Sequence, residues 1–168
     1  MGAQLGVKTP FEHSKLVIAI DQTSAHWGVG DFAKNEANGI QWITIGAGPD
    51  AKRDSAYGKM GNGEWMWAGT NRPTDLTLPR LNQQAIAVPG QYADLDAAIT
   101  TLLTMIGAYN QNPVHYTLFP GGGTRGLNSN GFIHGLLDAG GFASPTDPGG
   151  RIPGWVPVVP PSQFGVGP

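Results

Sequence analysis

The sequence contains no cysteine among its 168 residues. Without thiols, the chain can form neither disulfide bonds nor thiolate metal sites. The absence does not indicate a compartment, because such a fold is equally compatible with an oxidising periplasm and a reducing cytosol.

Charged residues are also scarce, at 13% of the chain, whereas about a quarter is typical of soluble domains. The 10 Lys and Arg residues are balanced by 12 Asp and Glu residues, which gives a formal net charge of -2. No stretch is rich in Lys or Arg, so the electrostatic footprint of a nucleic-acid-binding protein is missing. An anionic membrane surface is not favoured as a partner for the same reason.

Long apolar runs are missing as well. The longest, residues 16–20, is far too short to cross a bilayer. Residues 1–8 lack the charged start and the apolar stretch of a signal peptide. We therefore expect no transmembrane segment. The expected location is that of a secreted or delivered effector without a conventional signal peptide, for example in the periplasm of a target cell, or otherwise the cytoplasm.

Metal ligands and cofactor motifs show no recognisable spacing. The four histidines include no His-x-x-x-His pair, which is a common spacing of metal ligands on a helix. The carboxylates likewise show no paired spacing that fits a metal site or a glycosidase. We expect neither a metal nor a cofactor.

Several short apolar segments predict strands. With 26 Gly and 14 Pro residues, the chain must also contain many loops. Residues 46–49, with the sequence Gly-Ala-Gly-Pro, are expected to end a strand, and residues 26–32 are expected to form a strand or part of a hairpin. Alternating or β-branched apolar residues bounded by turn residues indicate the other strands, at residues 15–21, 41–45, 64–68 and 84–88.

Two segments have the period of an amphipathic helix. Residues 94–108 carry apolar side chains on one face, and residues 129–139 do the same after an asparagine that suits the N-cap position. Strands followed by helices favour an α+β fold, with an antiparallel sheet packed against two or three helices. We expect residues 1–168 to form a single domain that ends in an extended Pro/Gly-rich arm at about residues 143–168.

The start of the second helix carries the most suggestive chemistry. If Asn128 caps this helix, Ser129 lies in its first turn, where unbonded backbone N–H groups and the helix dipole favour negative charge. Those conditions suit a nucleophile and an oxyanion, although a serine also needs a base that takes its proton. From local sequence alone, a serine in a first helical turn is more often structural than catalytic.

Histidines are the candidates for this base. His13 directly precedes the best apolar strand, and His26 precedes Trp27-Gly28-Val29. His134 follows Ser129 by five residues, which turns it about 140° away around the helix and excludes it as the partner of Ser129. The choice between His13 and His26 stays open, with His13 favoured.

The segment Asn128-Ser129-Asn130-Gly131-Phe132, followed downstream by Pro153-Gly154-Trp155, resembles a domain at the C-terminal ends of bacterial polymorphic toxins of the Rhs and haemagglutinin types. In that family an Asn-Ser-Asn-Ser/Thr-Phe stretch opens a helix, and an upstream histidine begins an apolar strand. A Gly-Pro turn closes a later strand. The resemblance spans about 140 residues but rests on short motifs.

The same layout is similar to the circularly permuted papain-like superfamily, which includes cell-wall amidases and acyltransferases of the lecithin:retinol type. There a histidine on a strand comes first, and an Asn-Cys-x-x-Phe motif at a helix N-terminus comes later. His13 matches that histidine, and Ser129 occupies the cysteine position. The His26-Trp27-Gly28-Val29 segment looks like the His-Trp-Gly-Ile/Val of the acyltransferase branch.

The resemblance implies a papain-like hydrolase, an amidase or esterase, that serves as a toxin or effector module of a bacterial secretion system. Its expected substrates are peptidoglycan peptides or lipid esters, and an immunity or inhibitor protein is its expected partner. The backbone N–H groups of Ser129 and Asn130 would steady the oxyanion. The alternative is a non-catalytic binding or structural module of the same fold. The catalytic candidates are His13, Ser129, Asn128 and His26, and the substrate-binding candidates are Asn130, Trp27 and Tyr116.

Overall fold

The structure is a computed structural model that describes residues 3–6, 14–50, 64–77, 84–117, 126–143 and 158–167. Short turns of 3₁₀ helix lie at Phe32–Lys34 and Pro161–Phe164. The strands are β1 (Ala3–Gly6), β2 (Lys15–Ile20), β3 (Glu36–Ala37), β4 (Ile40–Pro49), β5 (Glu64–Thr70), β6 (Gln84–Ile86) and β7 (His115–Tyr116), and the helices are α1 (Pro73–Thr77), α2 (Leu95–Tyr109) and α3 (Ser129–Ala139).

The seven strands form a sheet of order β6-β1-β2-β4-β5-β7, with β3 paired to β4. Every paired strand is antiparallel to its neighbour. In the β2–β4 pair, Leu16 lies opposite Ile45 and Ile20 lies opposite Gln41. The predicted α+β class, with an antiparallel sheet and helices, is therefore confirmed.

One face of the sheet meets α2 and α3 and holds the hydrophobic core. Since side chains alternate between the two faces of a strand, every second residue of the central strands points to the helices. The residues of this core face that are buried in the central strands are Leu16, Ile18, Ile20, Ile43, Ile45, Ala47, Met66 and Ala68. We call the other side, which carries Lys15, Thr44 and Gly46, the second face.

Both long helices begin where the sequence indicated. The Asp94 side chain accepts a hydrogen bond from the Ala97 N–H at 2.8 Å and caps α2. Helix α3 spans residues 129–139 as predicted, with Asn128 as its N-cap and Gly140 as its C-cap. These boundaries could be predicted because caps act through side chains close in sequence.

The prediction that residues 26–32 form a strand or part of a hairpin is wrong. Backbone N–H groups in this segment bond to carbonyls three residues earlier: Val29 to His26 at 3.1 Å and Phe32 to Val29 at 3.2 Å. These bonds produce consecutive turns that lead into a 3₁₀ turn. The hairpin that follows joins β3 to β4 through Asn38 and Gly39, which both have positive φ angles, as a two-residue hairpin turn requires.

Residues 46–49 were expected to stop the strand after residue 45, but β4 continues through both glycines and ends at Pro49. The glycines have a packing role instead. An ideal Cβ on Gly46 would lie 2.3 Å from Asp75 Oδ2, and one on Gly48 would lie 2.7 Å from Arg72 Nη2. Their missing side chains make room for the Arg72–Asp75 segment on the second face.

The C-terminal residues 158–167 pack on the helices. The Val159 N–H donates to the Gly131 carbonyl of α3 at 3.1 Å, and an ideal Cβ on Gly135 would lie 2.2 Å from the Val159 carbonyl oxygen. The Phe164 ring lies 5.6 Å from the rings of both Tyr109 and Phe132. Val159 and Phe164 thus belong to the hydrophobic core.

Among the described helices, none is both long enough and apolar enough to span a membrane.

Candidate functional site

The first turn of α3 is buried and ordered by its N-cap. Asn128 has extended backbone angles, and its Oδ1 accepts the N–H groups of Asn130 at 3.0 Å and Gly131 at 3.2 Å. A buried helix start needs such acceptors, because its first N–H groups have no partner within the helix. Asn128 is therefore placed as a cap, consistent with its predicted position.

Ser129 is the first residue of α3 and is only 4% exposed. The Asn128 side chain accepts the N–H groups of Asn130 and Gly131. The N–H of Ser129 is not among the groups that the cap binds. The side chain thus lies beside the positive end of an 11-residue helix, where a developing negative charge is stabilised.

Asn130 has a different role from the one expected. Its N–H donates to the Asn128 cap, so it is not one of a ready pair of oxyanion donors, and that part of the expectation is corrected. Its side-chain Oδ1 accepts the backbone N–H of Ser14 at 2.7 Å, across 116 residues of sequence. This bond brings the start of β2 to the first turn of α3.

His13, the favoured base, lies outside the described residues, as do Pro153-Gly154-Trp155. Ser14, which follows His13 in the chain, is fully buried and is the residue bonded to Asn130. The chain next to the predicted base is therefore placed at the helix start that carries the predicted nucleophile. The pairing of His13 with Ser129 stays a prediction.

His26 lies at the other end of β2. Its Nε2 is 3.3 Å from the Asp96 carbonyl and 3.3 Å from Thr100 Oγ1, both on α2. Two residues later, the Gly28 N–H donates to the side chain of Gln41, which is paired with Ile20. With roughly 3.3 Å per strand residue, the ends of β2 are about 17 Å apart.

The described contacts therefore do not bring His26 to Ser129. Trp27, the neighbour of His26, packs against the edge of the core at the same end of β2. His26 is therefore separated from the start of β2 by the length of that strand, and it is the start of β2 that is hydrogen-bonded to α3.

Tyr116 lies on β7, next to the segment that leads into α3. It forms a parallel bridge with Leu127, in which the Thr117 N–H bonds to the Leu127 carbonyl at 2.8 Å and the Leu127 N–H bonds to the His115 carbonyl at 2.8 Å. Burial raises the pKa of the Tyr116 hydroxyl, and nearby Arg72 partly offsets this. Tyr116 thus stays neutral and is paired with Leu127, the residue directly before Asn128.

The other two histidines have structural surroundings. The His115 ring stacks on Trp65 with centroids 4.4 Å apart. His134 Nε2 lies 3.4 Å from an Asp138 carboxylate oxygen one turn along α3. This agrees with the expectation that His134 points away from Ser129.

Gln41 and Thr44 of β4 are polar residues of a kind that could orient a catalytic base, but they do not form a triad at the first turn of α3. Gln41 lies near His26, where its side chain bonds to Gly28 and to Glu36. Thr44 points to the second face, and its buried hydroxyl has no hydrogen-bond partner among the described residues. Neither residue has a described contact with the first turn of α3.

A cluster of polar side chains on the second face was not predicted from the sequence. Lys15 is 2% exposed and donates from Nζ to the Asp75 carbonyl, and Arg72 Nη1 lies 3.9 Å from Asp75 Oδ2. The sequence contained one signal: a lysine at the start of an apolar strand, with glycines in a later strand. The partner in α1 was not visible, because it comes 60 residues later.

A polar cleft of about 500 Å³ lies between the end of β5 and the C-terminal half of α2. Its walls include Asp31, Asn71 and Asn110. Much of their hydrogen-bonding capacity is used locally: Asn71 Nδ2 donates to the Asp31 carbonyl, and the Asn110 amide bonds to both the N–H and the carbonyl of Ala68. The cleft is not lined by any residue predicted for the catalytic site.

The first turn of α3 carries groups that acyl transfer uses. Within the described ranges, no group of three metal-ligating side chains comes together. A hydroxyl at a buried helix start is suited to attack a carbonyl, and a neighbouring N–H that has no partner among the described residues is suited to stabilise the resulting oxyanion. Comparisons of the chain with protein-family models, curated proteins and solved structures give no match.

Proposed function

We propose that this chain is a papain-like hydrolase, an amidase or esterase, in which Ser129 is the nucleophile and His13 is the general base. The observation that carries the proposal is the Ser14–Asn130 hydrogen bond of 2.7 Å. It joins the residue after the proposed base to the residue after the proposed nucleophile. A general base must lie within hydrogen-bond reach of the hydroxyl that it deprotonates, and this bond supports the proposal because it holds the residue next to the proposed base at the helix start.

The reaction follows the logic of acyl transfer. His13 accepts the proton of Ser129 as Oγ bonds to the substrate carbonyl carbon, and the oxyanion forms beside the Ser129 N–H. The imidazolium then gives its proton to the departing amine or alcohol as that bond breaks. Water, deprotonated by the same imidazole, hydrolyses the acyl-serine and regenerates the hydroxyl.

The helix start supports this chemistry in two ways. Its dipole and its unused N–H favour the negative charge that develops on the carbonyl oxygen. Its burial limits access of water, which strengthens each electrostatic interaction at the site. Serine is a weaker nucleophile than cysteine, so the proposal requires an activating base.

The test uses Ser129→Ala in the full chain, with the exposed Ser162→Ala as a matched control. The probes are p-nitrophenyl butyrate for ester hydrolysis and purified peptidoglycan for amide hydrolysis. We expect kcat on the cleaved probe to fall by at least about 10³-fold in Ser129→Ala and to stay at the wild-type value in Ser162→Ala. Wild-type activity in Ser129→Ala would rule out the proposed nucleophile.

A second experiment addresses the proposed toxin role. The chain is expressed in bacteria once without and once with a periplasmic signal peptide, and Ser129→Ala is expressed in parallel. Lysis that occurs only on periplasmic expression of the unmutated chain supports a cell-wall substrate. Growth without defect in both compartments contradicts the toxin role and leaves the hydrolase proposal to the probe assays.

A non-catalytic module of the same fold is the competing proposal. It is favoured by the Asn130 N–H, which is already bonded to the cap and so is not available to an oxyanion. The same assays decide between the two functions. An unmutated chain that hydrolyses neither probe, and whose Ser129 does not react with a fluorophosphonate, is a binding module.

A further inference from the structure

The proposed oxyanion site lacks one of its donors. The Ser129 N–H is not bound by the Asn128 cap, but the Asn130 N–H donates to that cap at 3.0 Å. Oxyanion holes ordinarily combine two donors around the oxygen on which negative charge develops. The proposed hydrolysis therefore calls for a second donor from another part of the chain.

The Ser14 hydroxyl is a buried donor without a partner. Ser14 is fully buried, and its Oγ makes no hydrogen bond with any described residue. A buried hydroxyl in this state costs free energy in the folded protein, which is why most buried polar groups are hydrogen-bonded. An unpaired hydroxyl at this place points to a bound or reacting molecule that pairs with it.

The Ser14 side chain lies on the side of the sheet that faces α3. Ser14 directly precedes β2, and the next residue, Lys15, reaches the second face, where its Nζ donates to the Asp75 carbonyl. Successive side chains of an extended chain point to opposite faces, so the Ser14 side chain points towards the helices. Its backbone N–H donates to Asn130 Oδ1 at 2.7 Å, which places Ser14 beside the first turn of α3.

We propose that Ser14 is a catalytic residue whose hydroxyl donates the second hydrogen bond to the oxyanion, beside the Ser129 N–H. This inference rests on the proposed function. As Ser129 Oγ bonds to the carbonyl carbon, the π electron pair of the carbonyl moves onto its oxygen. The Ser14 hydroxyl donates to that oxygen and keeps its own proton. When the electron pair re-forms the carbonyl, the bond to the amine or alcohol breaks. The Ser14 hydroxyl has this role whichever group is the general base.

The test uses Ser14→Ala in the full chain, which removes the hydroxyl but keeps the backbone N–H that bonds to Asn130. The matched control is Thr44→Val, because the Thr44 hydroxyl is also buried without a described partner but lies on the second face. The substrates are p-nitrophenyl butyrate and its thiono analogue, in which sulfur replaces the carbonyl oxygen. Sulfur is a weak hydrogen-bond acceptor, so the thionoester gains less from an oxyanion donor.

We expect kcat on the oxoester to fall by about 10²- to 10³-fold in Ser14→Ala, the usual effect of losing one oxyanion donor. KM should change little, because the interaction is made in the transition state. On the thionoester the loss should stay below about tenfold, and Thr44→Val should match the unmutated chain on both substrates. Thermal melting checks that each variant is folded, and losing an unpaired buried hydroxyl is not expected to lower the melting temperature.

Failure of the inference is distinguishable from failure of the proposed function. Wild-type kcat in Ser14→Ala, or equal losses on the two esters, would overturn the role of Ser14 and leave the hydrolase standing. If Ser14→Ala does not fold, Ser14→Cys decides, since a thiol is a weak donor, and wild-type kcat in that variant would also overturn the role.

A chain that cleaves peptidoglycan but neither ester is compared through the rate at which a fluorophosphonate labels Ser129. In that reaction Ser129 Oγ bonds to phosphorus, fluoride leaves, and the phosphoryl oxygen takes the oxyanion position. Labelling should slow in Ser14→Ala and not in Thr44→Val, and equal rates would overturn the role of Ser14. An unmutated chain that cleaves no substrate and is not labelled at Ser129 contradicts the proposed function, and the role of Ser14 fails with it.

Discussion

Gly46 and Gly48 show how strongly a single missing side chain can determine packing. Both lie inside β4, where glycine normally weakens a strand. Their place is filled by Asp75 and Arg72, so the second face accommodates charged groups close to the backbone. Lys15, on the neighbouring strand, donates to the Asp75 carbonyl and completes this buried group.

We predict that Gly46→Ala lowers the free energy of unfolding by about 1–3 kcal/mol, the usual cost of overpacking a buried site. The added Cβ would lie 2.3 Å from an oxygen of the buried Asp75 carboxylate, so that side chain would have to shift. Chemical denaturation measures the change. Gly107→Ala is the control, because no atom lies within 4 Å of the added Cβ and alanine is preferred in a helix, which should raise stability by up to about 1 kcal/mol.

If Gly46→Ala were as stable as the unmutated chain, the Asp75 carboxylate would not be packed on β4 as described. The sequence contained the glycines, and we interpreted them as the end of a strand. Nothing local distinguishes a glycine that ends a strand from one that admits a side chain 29 residues later.

At the scale of elements, the segment between β2 and β3 makes few of the backbone hydrogen bonds that join neighbouring strands. The carboxylates of Asp96 and Asp31 hold it in place instead. Asp96, in the first turn of α2, accepts the Ser24 hydroxyl at 2.6 Å and the Ala25 N–H at 2.7 Å. Asp31 accepts bonds from Lys34 and Thr70. These hydrogen bonds stabilise the ionised forms and lower the pKa of both carboxyls.

We predict that acid weakens this segment first. A carboxyl whose pKa is lower in the folded state stabilises the fold fully above its unfolded pKa of about 3.9. This contribution is lost as the pH falls through the folded-state pKa, so the free energy of unfolding should decline as the pH falls below about 4. Thermal melts from pH 2 to pH 7 should show a smaller decline for Asp96→Asn than for the unmutated chain.

The corresponding local readout is hydrogen exchange at the Ala25 amide, which should speed up in acid before the amides of β2 do, after allowance for the intrinsic pH dependence of exchange. Identical melting profiles for Asp96→Asn and the unmutated chain would contradict the assigned pKa shift. Asp94→Asn provides a comparison, because that carboxyl caps the same helix by bonding to Ala97 and does not contact the segment.

Elements differed in how well the sequence predicted them. Helices α2 and α3 were located to within about one residue, because helical period and caps are local properties. Strands β1 and β7 were not predicted as such, since a strand of four or two residues is defined by its partner rather than by its own pattern. The turns at residues 26–32 were predicted as a strand or part of a hairpin, because the local pattern does not show whether a partner strand is present.

At the scale of the whole molecule, the C-terminal residues are part of the core. Val159 bonds to α3 through its N–H, and the Phe164 ring packs against both Tyr109 of α2 and Phe132 of α3. Sheet, helices and this terminal segment share one hydrophobic cluster. The Pro/Gly-rich composition of the region indicated an extended arm but not which surface it would meet.

We predict that Phe164→Ala lowers the free energy of unfolding by about 3–5 kcal/mol, as expected for a fully buried aromatic residue. Urea denaturation gives the value, and the exposed Ser162→Ala in the same 3₁₀ turn should change it by less than about 0.5 kcal/mol. A loss below about 1 kcal/mol in Phe164→Ala would mean that the terminal segment is not an integral part of the fold.

At the candidate site too, the sequence predicted the features set by neighbouring residues but not those set by residues far apart in the chain. Asn128 and Ser129 could be placed from the sequence, because a cap and a first helical turn are set by neighbouring residues. The meeting of Ser14 with Asn130 could not, since 116 residues separate them. The position of His26 at the far end of β2 likewise became clear only in the folded chain.

By itself the sequence determined the class of fold, the extents of the two long helices and the cap that orders the start of α3. Period and capping act over a few residues, so their consequences can be predicted without knowing the fold. The tertiary structure alone decided that β4 runs through its glycines, that Asn130 holds the start of β2, and that the terminal segment completes the core. These features are contacts between distant parts of the chain, and their energies exist only once the chain has brought those parts together.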